Sequence, residues 1–155
     1  MIFRRRPKNH NEMTKDVKKY LKRIERYLEK NDVDVEYNSA GALTFPTETT
    51  DGDRYTVTVN GEENIVWLTT ILSIDSTVDE LTLLKAVNDL TGTKNPVTVH
   101  VEHKMNILMM TMCFNAEMTD KDIDAVMDTW WTNSEIALRY VLKRTNITID
   151  WNKKV

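Results

Sequence analysis

Three groups of residues in this 155-residue chain have side chains that could do chemistry. His100, Glu102 and His103 offer imidazole and carboxylate ligands, the set a divalent metal takes. Side chains alternate across a strand, however, so His103 points away from the other two unless the chain has already begun to turn. Asp120, Asp122, Asp124 and Asp128 begin like a calcium loop, but the required glycine is missing and Ile123 and Val126 impose a helical period. Acids there suit the first turns of a helix, whose positive end favours them. Cys113 is the only cysteine and has no adjacent base or cation to lower its thiol pKa, so a nucleophile is not expected. Set between Met112 and Phe114, it is predicted to be buried and reduced. Four glycines leave no material for a phosphate-cradling loop. Neither catalysis, nor a metal site, nor a cofactor is expected.

The elements that position these residues follow from hydrophobic period. Between Thr14 and Lys30, Val17, Tyr20, Leu21, Ile24 and Leu28 recur at helical spacing. Val33, Val35 and Tyr37 alternate with acids, and Ala42 to Phe45 resumes an extended run that Pro46 ends. Tyr55, Val57 and Val59 form the next strand, and Asn60-Gly61 is the strongest hairpin signal in the chain. Ile65 to Ile74 then runs as a strand interior to the sheet. Ser76 with Asp79 and Thr77 with Glu80 both have capping-box spacing, so a second helix starts there, with Leu81, Leu84, Val87 and Leu90 as its buried stripe, Leu83 widening it, and Gly92 as its left-handed terminator. Val97, Val99 and Val101 alternate as a half-buried strand, and after a turn near His103 to Asn106 the chain returns as Ile107 to Phe114. Thr119 with Asp122 caps a last helix carrying Ile123, Val126, Met127, Trp130, Ala137, Leu138 and Val141 on one face. Ile147, Ile149 and Trp151 alternate as a short terminal strand or a docked tail.

This order, α-βββ-α-ββ-α, predicts an α+β fold with helices packed on an antiparallel sheet. Residues 1–12 read as a basic arm, 13–145 as a single domain and 146–155 as a tail or short edge strand. No apolar run approaches the ~20 residues of a membrane helix, and Arg4, Arg5 and Arg6 are not followed by an apolar signal core, so a cytoplasmic location is expected.

Two stretches invite a binding role. Residues 1 to 30 hold eleven Lys and Arg against four acids, whereas residues 31 to 155 hold ten against twenty. Arg4, Arg5, Arg6, Lys18, Lys19 and Lys22 are therefore candidates for an anionic partner, nucleic acid or a charged surface, although the same helix also carries Asp16, Glu25 and Glu29. The bland alternative leaves these cations solvated or facing the acidic body of the chain. From Met105 to Phe114 both faces of a strand are apolar and methionine-rich. An interior strand covered on both sides explains this, and so does an exposed sheet face that binds another chain, which makes Met109, Met110 and Met112 candidate contacts. Trp130 and Trp131 point about 100° apart on their helix, so Trp130 joins the core while Trp131, nearer the rim, is a further candidate.

The element order resembles the fold of type III secretion chaperones. Within it the stretches LLKAVNDLTG, VTVHVEH to NILMMTMCF and MTDKDIDAVMDTWW resemble the YbjN family, described as bacterial sensory transduction regulators. The resemblance implies a non-enzymatic, commonly dimeric protein-binding module that holds a partner segment on apolar patches. It makes Leu83, Val87, Val97, Val99 and Val101 dimer candidates. It also makes the stripe Val17, Leu21, Ile24 and Leu28 either core or partner surface, which burial separates.

Overall fold

In the computed structural model, which describes residues 13–75, 79–117 and 120–153 and, within them, every side chain but those of His103 and Asp120, helix α1 spans Lys15–Lys30. Thr14 caps it, its hydroxyl accepting from the Val17 amide. Val17, Tyr20, Leu21, Ile24 and Leu28 are all buried. The stripe is thus core, and Val17, Leu21, Ile24 and Leu28 present no surface to a partner in this conformation. Each such side chain contributes about 1.5–3 kcal/mol by leaving water.

The sheet is antiparallel throughout and comprises β1 Glu36–Tyr37, β2 Leu43–Glu48, β3 Arg54–Glu62, β4 Ile65–Ile74, β5 Thr98–Glu102, β6 Ile107–Asn115 and β7 Ile149–Asp150. Its order is β1-β2-β3-β4-β6-β5, with β7 pairing β4 at Ser73 and Ile74. Helices α2, Glu80–Gly92, and α3, Asp120–Thr145, share one core with α1 and one face of the sheet. This is the expected α+β architecture, with β1 and β7 as short additions.

The strand ends depart from expectation at two places. Asn60-Gly61 does not turn: both lie in β3 opposite Trp67 and Val66, and the turn comes at Glu63-Asn64, where Glu63 takes φ 54°. The glycine serves packing instead, because a Cβ on Gly61 would stand 2.5 Å from Cγ1 of Val17. Pro46 does not end β2 but pairs with Thr56 inside it. The neighbouring strand β1 reaches only Leu43 and Thr44, so the outer edge at Pro46 is free and no ladder bond is lost.

Helix α2 starts at the cap Asp79, whose carboxylate accepts from the Thr82 amide; Ser76 and Thr77 lie outside the described residues, as does Thr119 before α3. The buried stripe of α2 is Leu83, Ala86 and Leu90. Leu81 and Leu84 are 59% and 53% exposed, because the helix packs through the flank that carries Leu83. Gly92 closes the helix within it, and the left-handed residue is Lys94, φ 59°. In α3 every expected core residue is buried, from Ile123 to Val141.

The β2–β3 hairpin is tied to α3. Glu135 Oε1 accepts from the amide and hydroxyl of Thr50, at 3.0 and 2.6 Å, and from Arg139, which also reaches Asp51 at 3.2 Å. The Thr50 hydroxyl above all holds the Glu135 carboxyl below the usual range, with Arg139 adding to it. A carboxylate favoured in the folded state stabilises above its ordinary pKa, and that stability is lost as pH falls through the lower folded value. Glu135→Gln should therefore melt below wild type at neutral pH, with the gap in Tm narrowing below about pH 4.5. A gap that persists unchanged in acid counts against the ionic part of this tie.

Candidate binding surface

Strand alternation sends Leu68, Leu108, Met110 and Met112 to the helix side, where all are buried. Trp67, Thr69, Ile71, Met109, Thr111 and Cys113 go to the opposite face, where all are half-buried or exposed. Among the described residues no helix covers that face. The strand Ile107–Asn115 is therefore interior in the pairing order but covered on one side only by the described residues, which corrects the expectation of cover on both sides. The same alternation exposes Cys113, against the expected burial.

Register gives the open face a pattern. Thr44, Thr58, Thr69, Thr111 and Thr98 stand opposite one another across five consecutive strands, a row of hydroxyls over the width of the sheet. The Thr69 and Thr111 hydroxyls are 3.4 Å apart. On either side of this row Trp67 faces Cys113 and Ile71 faces Met109. The central part of this pattern, Thr58, Thr69 and Thr111 with Trp67, Ile71, Met109 and Cys113, lines a shallow groove of about 480 Å³. Its β-branched and apolar floor can pack an extended segment, and its hydroxyls can donate or accept at every step.

The groove opens at one end into a notch of about 1060 Å³. It exists because β3 runs past β2: Leu43 pairs Val59, so Asn60, Gly61 and Glu62 have no partner on that side. Lys18, Leu21 and Lys22 of α1 form one wall and Ser39 to Gly41, in the β1–β2 turn, another. Asn60 and Trp67 line both notch and groove. Tyr37 donates to Glu25 Oε2 at 2.8 Å, and its phenol is pushed up to about 12 by burial and by that carboxylate. Met13 borders the notch and pairs with Glu63 in a parallel bridge.

The sequence candidates separate on this frame. Met109 lies on the open face, whereas Met110 and Met112 are core. Trp131 is half-buried, its ring 6.2 Å from that of Tyr27. Leu83, Val97 and Val99 are buried within the chain, because they face α3 and the sheet, and are not available to a second copy; Val87 and Val101 are half-buried. Lys18 and Lys22 come together at the notch, while Lys19 sits on the other flank of α1 with Asp16, Arg23 and Glu117. Arg4, Arg5 and Arg6 lie outside the described residues. His100 and Glu102 share the open face, and among the described residues no three His, Cys, Asp or Glu stand close enough to hold a metal ion. No helix among them is long and apolar enough to cross a membrane. Sequence reasoning missed Trp67 and the threonine row, whose only signal is a polar position in each strand that register alone can align.

No protein-family model matches this sequence, and neither does any curated protein. Among solved structures the chain is similar to the crystal structure of YbjN, a proposed transcription regulator from E. coli. The TM-score is 0.59 at 10% identity, over 84% of this chain and 96% of that one. At that identity the likeness is one of fold, and the chain has the fold of that protein.

Proposed function

We propose that this chain is a non-enzymatic protein-binding module, regulatory or chaperone-like, that holds an extended segment of another protein on the open face of its sheet. The observation that carries the reading is that face itself: concave, uncharged along its groove, and lined by Trp67, Ile71, Met109 and threonines without a covering element among the described residues. Trp67, Ile71 and Met109 gathered on one uncovered face suit contact with another chain. The shared fold with a proposed transcription regulator supports the regulatory part of this reading.

The module is further proposed to work as a homodimer through the outer face of α2. Leu81 and Leu84 are exposed there beside half-buried Val87, and burying them against their own copies removes the largest apolar side chains of that helix from water. Light scattering coupled to size exclusion should give about twice 18.1 kDa, falling to the monomer mass in Leu81→Lys/Leu84→Lys. A monomer at every concentration removes the dimer but leaves the binding face untouched.

Binding is tested by cross-linking mass spectrometry on proteins captured from the native cell. A partner cross-linked to groove positions and lost in Met109→Asp supports the reading; an identical set captured by both proteins overturns it. Nucleic acid is the competing occupant, favoured by Lys18 and Lys22 at the notch.

A further inference from the structure

Because the groove and the notch share Asn60 and Trp67, an extended segment lying across the open face runs directly into the notch. The two differ in charge. No charged side chain lines the groove. The notch presents Lys18 and Lys22, four residues apart on one flank of α1, against the single carboxylate of Glu62. Both lysines are exposed, and neither forms an ion pair with another described residue. Glu25, one turn beyond Lys22, is already engaged by the Tyr37 hydroxyl. Positive charge thus gathers at one end of an uncharged track.

Resting on the reading of the open face as a protein-binding surface, we propose that the bound segment is an extended peptide with an uncharged stretch in the groove and an acidic end in the notch. Carboxylates there meet Lys18 and Lys22, and the side chain at the junction rests on Trp67. A basic end would crowd like charges, and a neutral one would leave the two ammonium groups without a partner. A nucleic acid fits less well, since its phosphates would cross the groove without meeting a cation.

The experiment pans a displayed library of random peptides, about twelve residues long, on the immobilised full-length protein, on Lys18→Glu/Lys22→Glu and on Trp67→Ala. Thermal melts confirm that all three are folded, as the exposed positions of both lysines lead one to expect. Wild type should enrich peptides with an uncharged run flanked on one side by acids, and the lysine reversal should enrich basic ends instead. A synthetic peptide from the wild-type pool should lose roughly tenfold or more in affinity for the reversed variant, read by fluorescence anisotropy. Lys18→Gln/Lys22→Gln should fall between the two.

Failure of any Trp67-dependent enrichment overturns the binding reading as a whole. Trp67-dependent enrichment with no acidic bias, or one unmoved by the lysine reversal, overturns this inference alone. A labelled oligothymidine that binds more tightly than the selected peptide and is released by the same variants replaces the peptide with nucleic acid.

Discussion

A Met110→Asp variant should fail to fold, whereas Met109→Asp, one residue earlier, should fold and melt close to wild type. Met110 has no exposed surface and sits opposite Thr70 and Val99 on the helix side of the sheet. An aspartate there must either bury an unpaired charge or take up a proton, and it also abandons the packing of a large side chain. Together these cost more than about 4 kcal/mol. Against a total stability of roughly 5–15 kcal/mol, that is enough to empty the native state. Met109 lies opposite Ile71 and His100 on the open face, where water reaches it. The same substitution should cost about 1 kcal/mol, chiefly through the weaker strand preference of aspartate. Circular dichroism and urea titration of the two purified proteins decide the matter. Equal damage by both would mean that the two faces of the sheet are not as different as described. With the fold intact, Met109→Asp becomes the clean probe of the groove.

The second large effect is expected at Gly61. A Cβ placed there would stand 2.5 Å from Cγ1 and 3.2 Å from Cγ2 of Val17, and 2.8 Å from the carbonyl oxygen of Ile65. The first two contacts involve a side chain locked in the core, and the third is backbone across the hairpin, so neither yields cheaply. Gly61→Ala should destabilise by about 1–3 kcal/mol. For a chain of this size each kcal/mol lowers Tm by about 2–4 °C. Adding Val17→Ala removes the side-chain clash but leaves the carbonyl contact and opens a small void. The double variant should therefore be less destabilised than the two single changes combined, yet remain below wild type. A Gly61→Ala protein that melts like wild type would show that α1 and β3 do not approach as closely as drawn.

Much of this architecture was legible in the amino-acid sequence where a single period governs a long stretch. The stripe of α1 from Val17 to Leu28, the bounds of β4 and the buried face of α3 follow from spacing alone, because burial on one face leaves one pattern. Short signals with two physical uses misled. Asn60-Gly61 favours a turn locally, but here the missing Cβ makes room for Val17 and the turn moves to Glu63, so a tertiary contact outweighs a local preference. On α2 the leucines at 81, 83, 84 and 90 allow two stripes, and packing against the rest of the core selects the one through Leu83. The site was less legible still. The methionine run shows that β6 is apolar on both sides, but not that helices cover only one of them. The threonine row comes into being only when five strands are set in register, which no one of them encodes.

The pairing of β7 with β4 bears on how the protein is made. Ile149 and Ile147 are buried in the common core, and β7 completes the end of β4 at Ser73 and Ile74. Those partners lie about half a chain apart in synthesis. A ribosome-bound chain that has not yet grown past Ile149 therefore holds the end of β4 paired to β6 on one edge only, with a gap in its core. Closure waits until Ile149 has left the tunnel, and until then the nascent chain exposes an apolar seam of the kind that chaperones recognise.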